Sequence, residues 1–217
     1  PRYDDLASAQ RDIGEVLWQT LPESAQHVLD LGCGPGRQTL VLAEETGGRV
    51  VAVDRVETFL TDLERRARER GVADRVETSN QSMDALDLAP ESFDLLWAEG
   101  SAYAIGFANA LEIWRPLLVA GGGLALTELS WLDGTPPQEA AAFWQSAYPD
   151  IRDRARSREL VQRAGYSLLG DFVLPASDWW DDYYAPLRER IPDGGIEVLT
   201  RVLAEHPVGA GTSEAAA

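Results

Sequence analysis

The stretch VLDLGCGPGRQT, residues 28–39, constrains this chain more than any other feature, because it joins an apolar strand to a helix through closely spaced glycines. Gly32, Gly34 and Gly36 can adopt positive φ angles, and they let a ligand approach the backbone closely. A helix that begins directly after such a loop presents unpaired N–H groups to that ligand. The stretch therefore predicts a binding site at a strand–loop–helix junction, with a bare tight turn as the alternative.

Strands and helices alternate along the rest of the chain. The apolar patterns predict strands at 27–32, 49–54, 75–79, 92–100, 122–130 and 165–175, and helices at 4–21, 37–46, 58–71 and 109–121. Repeated βαβ units predict an α/β fold, a doubly wound and mostly parallel sheet with helices on both faces. The expected divisions are an N-terminal helical segment (1–24), a binding domain (25–175), and an aromatic cover with a tail (176–217).

The charge balance narrows the range of partners. The chain has 19 arginines, no lysine and 36 acidic residues, which give a net charge of −17. Such an excess of negative charge opposes DNA as a partner and disfavours RNA, since phosphates need a basic surface. The arginines at 65–70 are interpreted as a solvated helix face. The lack of lysine excludes P-loop and Schiff-base enzymes.

Few residues could bind a metal or form a disulfide. The chain has His27 and His206 as its histidines and Cys33 as its one cysteine, so no metal site and no disulfide are predicted. Without an apolar run of 18 residues or a leader, we expect a cytoplasmic protein with no membrane insertion. His27 is assigned a structural role and Cys33 a role through its backbone. The oligomeric state stays open, with a homodimer as one possibility.

The glycine spacing favours a nucleoside with cationic groups over a dinucleotide. G-x-G-x-G differs from the dinucleotide pattern G-x-G-x-x-G, and Asp30 would repel a pyrophosphate but pair with an ammonium group. Asp54, 22 residues after Gly32, can accept both ribose hydroxyls at the end of the second strand. A lone Asp there would otherwise cap a helix. After the third strand, Met83 can lie against an adenine, with Asp84 beside it.

Together these residues resemble the class I S-adenosylmethionine-dependent methyltransferases, over residues 25–175. The resemblance implies S-adenosylmethionine as cofactor, with the glycine loop at its methionine end and the acids after the second and third strands at the ribose and adenine. Carried over to this sequence, the implied cofactor-binding residues are Asp30, Gly32, Cys33, Gly34, Gly36, Gln38, Asp54, Arg55, Ser82, Met83, Asp84 and Glu99. Family members usually add a seventh, antiparallel strand, and no segment here predicts one.

A narrower resemblance concerns the acceptor side. Residues 97–107, 121–132, 143–151 and 179–187 look like a bacterial small-molecule subgroup, similar in its cofactor half to ubiquinone/menaquinone-biosynthesis methyltransferases. Methyl transfer from a sulfonium depends on alignment and on exclusion of water. Glu99 and Glu128, at the ends of the fourth and fifth strands, are candidate bases or amine anchors, with solvated carboxylates as the alternative.

Aromatic and hydroxyl side chains form the candidate acceptor wall. Predicted substrate contacts are Ser101, Tyr103, Trp131, Trp180 and Tyr184, and the WWDDYY run that holds the last two is interpreted as a lid. Trp114 and Trp144 are assigned to the core. The preferred function is methyl transfer to a small molecule. The alternatives are a non-catalytic binder of the cofactor or its product S-adenosylhomocysteine, an RNA methyltransferase, and a nicotinamide oxidoreductase, which the glycine spacing disfavours.

Overall fold

The computed structural model describes residues 25–132 and 136–173. The chain divides into two compact units, one being Gln10–Glu128 and the other Pro1–Ala9 with Leu129–Ala217. The predicted helix at 4–21, the predicted segment 1–24 and the cover and tail at 176–217 lie outside the described residues. Within the described ranges, no helix is both long enough and apolar enough to cross a bilayer.

In its described residues, 25–128, the first unit contains one sheet and three α-helices. Its strands are β1 (His27–Leu31), β2 (Arg49–Val53), β3 (Val76–Ser79), β4 (Phe93–Ala98) and β5 (Leu118–Leu126), and its helices are α1 (Arg37–Thr46), α2 (Glu57–Arg70) and α3 (Phe107–Trp114). The strand order is β3-β2-β1-β4-β5, and every neighbouring pair is parallel. This arrangement confirms the doubly wound α/β prediction. The described residues of the sheet include no seventh strand.

Glycines end the first two helices where the sequence predicts. Gly47 and Gly71 adopt φ angles of 62° and 72°, and the Gly71 N–H donates to the Arg68 carbonyl at 3.2 Å. Glycine tolerates this left-handed conformation without a Cβ clash, so the helix carbonyls can be satisfied there. Both helix ends are therefore local consequences of sequence.

The core follows the alternation of side chains along the central strands. One cluster joins sheet residues such as Val28, Val50 and Trp97 to Leu40 of α1 and Leu63 of α2. The intervening strand residues, such as Leu29 and Leu96, are also fully buried. A central parallel strand is covered on both faces in this way, and right-handed crossovers put α1 and α2 on one face and α3 on the other.

The predicted helix at 109–121 is wrong in its last part. α3 ends at Trp114, a 3₁₀ turn covers Arg115–Leu117, and β5 begins at Leu118. Pro116 lacks the N–H that a continuing helix needs, and the glycines at 121–123 have low helix propensity. Leu118 instead pairs with Phe93 of β4, and the pairing resumes at Gly123 after a register shift.

Two further strand predictions, at 165–175 and 122–130, differ from the structure. The described part of the strand predicted at 165–175, residues 165–173, forms no strand. The segment predicted as one strand at 122–130 instead ends at Leu126, and Ser130–Trp131 (β6) pairs with Arg152–Asp153 (β7) in a separate sheet. The described residues of the second unit also form α4 (Gln138–Ala147) and α5 (Arg154–Arg163).

Side-chain ion pairs connect residues 165–173 to α5. Arg154 and Arg158, on α5, both form ion pairs with Asp171, so this segment is held by side chains and not by a strand ladder. Leu169 is 72% exposed, so the apolar pattern that predicted a strand does not bury its side chains. Trp144, predicted in the core, is half-buried and packs edge-to-face on Phe143, with ring centroids 5.1 Å apart.

Candidate functional site

The candidate site lies where the direction of strand addition reverses, between β1 and β4. Ligands of open α/β sheets bind at such a point, outside the carboxyl ends of the strands. The loops that follow these two strands touch: the Ser101 hydroxyl, which is buried, donates to the Leu31 carbonyl at 2.6 Å. A Cβ on Gly32 would lie 2.5 Å from the Ser101 Cβ. The first glycine is therefore required by close packing between the two loops.

The other two loop glycines face different surroundings. All three have positive φ, at 74° for Gly32, 53° for Gly34 and 77° for Gly36. A Cβ on Gly36 would lie 2.2 Å from Cδ1 of Leu63, whereas one on Gly34 would meet nothing within 4 Å. The loop thus packs against the protein at its two ends and leaves its middle open to a ligand.

Backbone amides of the glycine loop are bonded to the end of β2. The N–H groups of Gly32 and Cys33 donate to the Val53 carbonyl at 2.9 and 3.0 Å. The Gly34 N–H donates to Oδ2 of Asp54 at 2.9 Å, and the Val56 N–H donates to Oδ1 at 2.8 Å. Asp54 therefore joins the glycine loop to Val56, the residue directly before α2. An ionised carboxylate retains further lone pairs, so these bonds leave capacity for ribose hydroxyls.

Asp30 is a buried carboxyl group under the loop. It is 2% exposed, and the Thr39 hydroxyl donates to its Oδ2 at 2.6 Å. Burial, and less strongly the nearby Glu99 and Asp54, raises the pKa of Asp30 to about 7, against the opposing effect of the Thr39 hydrogen bond. A cationic ligand group placed beside these acids would replace the lost hydration of Asp30 and favour its ionised form.

Cys33 lies inside the same loop, and its thiol is poorly suited to chemistry. Burial, together with the neighbouring Asp30 and Asp54, raises the pKa of the Cys33 thiol far above its usual range. A thiol in this state is not a nucleophile at neutral pH. The contribution of Cys33 to the loop is its backbone N–H, which donates to the Val53 carbonyl.

The loop after β3 reaches the glycine loop. The Ser82 hydroxyl donates to Oδ1 of Asp84, and the Cε of Met83 lies 3.4 Å from the position of a Cβ on Gly32. On its other side the Met83 carbonyl accepts a hydrogen bond from Nε1 of Trp114 at 2.8 Å. The segments that follow β1, β3 and β4 therefore converge on one place.

The remaining predicted residues differ in burial and in their position in the fold. Glu99 directly follows β4 and Glu128 comes two residues after β5, and both are half-buried. Gln38 is buried on α1, Arg55 is exposed, and Tyr103 is 46% exposed. Trp131 belongs to the second unit, and Trp180 and Tyr184 lie outside the described residues. The structure thus gathers the predicted residues Asp30, Gly32, Asp54, Met83, Glu99 and Ser101.

Three residues that support the site are absent from the sequence-based set. Thr39 is fully buried and bonds to Asp30, Leu63 packs against Gly36, and Trp114, assigned only to the core, bonds to the loop after β3. Thr39 could have been noticed as a hydroxyl on the apolar face of α1. The partners of the other two come from distant parts of the chain, so no local signal identifies them.

The arginines of α2 form a surface network. Arg65 pairs with Asp62 and with Glu69, Arg66 pairs with Asp62, Arg68 with Glu64 and Arg70 with Glu44. Each of these arginines therefore has an acidic neighbour. The arrangement agrees with the predicted solvated face, because neighbouring acids neutralise the arginines at 65–70.

Comparisons with known proteins point to one family. A family model for a methyltransferase domain matches residues 28–122. Methyltransferase GfsG of Streptomyces halstedii is 32% identical over 196 residues, which cover 81% of this chain and 69% of that protein. The cypemycin N-terminal methyltransferase of a Streptomyces species is also 32% identical over 196 residues, covering 79% of this chain and 74% of that one.

A solved structure shows the same fold. A SAM-dependent methyltransferase from Geobacter sulfurreducens, in complex with S-adenosyl-L-homocysteine, aligns with a TM-score of 0.70 and 22% identity, over 94% of this chain and 86% of that one. At this identity the similarity concerns the fold alone. The solved structure thus shows the fold, and the sequence relatives show the family.

Proposed function

Because the chain belongs to the class I S-adenosylmethionine-dependent methyltransferases, we propose that it transfers a methyl group from S-adenosylmethionine to a small molecule and releases S-adenosylhomocysteine. The observation that carries this proposal is the convergence of Asp30, the open face of Gly34, Asp54 and the loop at 82–84 outside the carboxyl ends of the strands. That arrangement has an acid for a cationic amino group and an acid for ribose hydroxyls.

The charge of the site favours this cofactor over a dinucleotide. Glu99 and Asp54 both lie close enough to Asp30 to raise its pKa. A pyrophosphate would add negative charge to this group, whereas S-adenosylmethionine brings an ammonium and a sulfonium. Opposite charge within a few ångströms favours the ionised carboxylate, so binding and ionisation of Asp30 assist each other.

The proposed roles of the carboxylates differ. Asp30 binds the ammonium group, Asp54 the ribose, and residues 82–84 the adenine. Glu99 and Glu128, at the ends of neighbouring strands, are proposed to remove a proton from the acceptor or to hold its amine. If Glu128 is the base, its change to glutamine should lower kcat strongly with little effect on the affinity for S-adenosylhomocysteine.

The proposed acceptor wall is Ser101 and Tyr103, together with Trp131 and the residues Trp180 and Tyr184. The buried Ser101 hydroxyl already bonds to Leu31, so we expect it to shape the wall and not to deprotonate. The double change Trp180→Ala with Tyr184→Ala tests the lid. Loss of turnover with unchanged melting temperature and product affinity supports a lid, whereas a large drop in melting temperature shows that these aromatics are core.

The experiment that tests the function has two stages. Calorimetry on the whole chain should show binding of S-adenosylhomocysteine and none of NAD, and the opposite result overturns the proposal. Transfer of labelled methyl from S-adenosylmethionine is then measured across small-molecule acids, amines and alcohols. Because one relative is a methyltransferase acting at the N-terminus of cypemycin, a peptide with a free amino terminus belongs in the panel.

The control for turnover is Asp54→Ala, which should bind product weakly and transfer nothing. Product binding without transfer to any acceptor would favour the non-catalytic alternative. We propose a small molecule over a nucleic acid because the net charge is −17. We place the reaction in the cytoplasm, whose reducing conditions suit a chain with one cysteine.

A further inference from the structure

The segment between β3 and β4, residues 80–92, is held in place by hydrogen bonds to other parts of the chain. It connects an edge strand to β4, passing the positions of β2 and β1 in the strand order, and the structure shows no helix within it. Near its end, the N–H groups of Glu91 and Ser92 donate to the carbonyls of Pro116 and Leu117, each at 2.9 Å. The turn that follows α3 therefore fixes the far end of this segment.

Trp114, the last residue of α3, fixes the near end. Its side chain is completely buried, and its Nε1–H donates to the Met83 carbonyl at 2.8 Å. A buried indole N–H without a partner would cost free energy, so the bond constrains both groups. The Met83 side chain lies against Gly32. The position of Met83 is thus set from two sides, by the glycine loop and by α3.

We propose that Trp114 is a positioning residue for the adenine end of the cofactor, acting through its hydrogen bond to the Met83 carbonyl. The inference rests on the proposed function, since it takes residues 82–84 as the adenine-binding loop. Trp114 is buried beneath this loop and reaches no reacting atom. Its role is to hold the Met83 backbone in place, so that the adenine meets a loop that is already ordered.

Trp97 provides a matched control. It is also buried, at 1% exposure, and belongs to the sheet core. In the described part of the chain, no hydrogen-bond partner lies within reach of its Nε1–H. Trp97→Phe and Trp114→Phe therefore remove the same atoms from buried sites, but only the second breaks a hydrogen bond.

The test compares these two variants of the full chain. Trp114→Phe should weaken S-adenosylhomocysteine binding about three- to tenfold, the effect expected for one neutral hydrogen bond. The KM for S-adenosylmethionine should rise by the same factor, with kcat nearly unchanged. The preference for S-adenosylhomocysteine over its inosine analogue, which lacks the exocyclic amine, should shrink. Trp97→Phe should leave that preference intact even where it lowers the melting temperature.

Two outcomes are decisive, and they separate this inference from the proposed function. If the wild-type chain binds S-adenosylhomocysteine and Trp114→Phe keeps the wild-type preference over the inosine analogue, the positioning role is wrong. If the wild-type chain binds no S-adenosylhomocysteine, the proposed function itself is wrong.

A second measurement needs no variant that might fail to fold. In the wild-type chain labelled with ¹⁵N-tryptophan, added adenosine should shift the Nε1–H resonance of Trp114 and leave that of Trp97 in place. The Trp114 resonance should also exchange slowly with solvent. If adenosine binds and the Trp114 signal does not move, the inference is overturned.

Discussion

The two described parts of the molecule are stabilised in different ways. In residues 25–128 the central strands are almost entirely buried, and large side chains such as Leu29, Leu96 and Trp97 are inaccessible to water. In residues 129–173 the helix α5 buries none of its residues and α4 buries only Ala140. The second part has ion pairs at its surface, among them Arg158 with Asp171.

This difference in burial indicates which parts of the chain tolerate substitution. Burial fixes the loops at the ends of the strands, so the proposed cofactor site inherits the rigidity of the sheet. Ion pairs at an exposed surface contribute little and are screened by salt. Substitutions near the glycine loop should therefore have large effects, and substitutions on α5 should have small ones.

The largest expected effect comes from Gly36→Ala. The new Cβ would lie 2.2 Å from Leu63 at a φ of +77°, so we expect a loss of about 2–5 kcal/mol in the free energy of unfolding. Gly34→Ala is the control, since its φ is also positive but its surroundings are open, and it should cost only about 1–2 kcal/mol. Denaturant unfolding measures both. Equal losses would show that the contact with Leu63 is easily relieved.

Asp54→Ala should have the next largest effect, on cofactor affinity. It removes the acceptor for Gly34 N–H and the two proposed ribose bonds, and charge-assisted bonds contribute about 1.5–3 kcal/mol each. We therefore expect at least a tenfold loss in S-adenosylhomocysteine affinity by calorimetry. Asp54→Asn retains one oxygen acceptor and should lose less. Unchanged affinity in a folded Asp54→Ala variant would show that Asp54 does not bind the ribose.

Asp30 should make cofactor binding depend on pH. Its pKa of about 7 means that much of the folded protein holds a proton there just below neutrality, and binding of an ammonium group should release it. Affinity should rise with pH up to about 7, by up to about tenfold per unit, and then level off. Calorimetry near pH 6.5 in buffers of different ionisation heat measures the released proton. Asp30→Asn should abolish both effects, and a persistent proton release would assign it to another group.

The same pKa has a consequence for stability without ligand. Between the ordinary carboxyl pKa of 3.8 and about 7, the folded state holds a proton that the unfolded state has lost, so the contribution of Asp30 to stability falls as the pH rises through this window. Unfolding of wild type and Asp30→Asn across that range should therefore diverge towards neutral pH, with the variant gaining. Parallel curves would show that burial does not penalise the Asp30 charge.

Asp171 should have the smallest effect on stability. Its contribution should depend on pH in the opposite direction to that of Asp30. The hydrogen bond from Arg158, and then that from Arg154, lowers the pKa of Asp171. Its stabilising contribution is present above pH 3.8 and is lost as the pH falls through its lowered value. Asp171→Asn at pH 7 should shift the melting temperature by no more than about 3 °C. A larger shift would show that the second unit depends on this cluster.

How much could be predicted from the sequence varies between elements for physical reasons. The bounds of α1, and the end of α2 at Gly71, follow from local signals, because glycines stop helices by their own conformational freedom. The helix predicted over residues 118–121 is wrong. The apolar pattern there fits a helix and a strand equally well, and Pro116 together with pairing to β4 favours the strand. The strand predicted over residues 165–173 is wrong, because the apolar side chains that suggested it are not buried.

By itself, the sequence determined the glycine loop, the acids Asp30 and Asp54 and the alternation of strands and helices up to the fourth strand, since each rests on residue type and short spacing. Only the tertiary structure decided that Thr39 bonds to Asp30, that Leu63 lies against Gly36 and that Trp114 holds Met83. These contacts join residues 9 to 31 positions apart. Packing between a helix and a loop depends on how the whole sheet brings them together, and no local pattern contains that information.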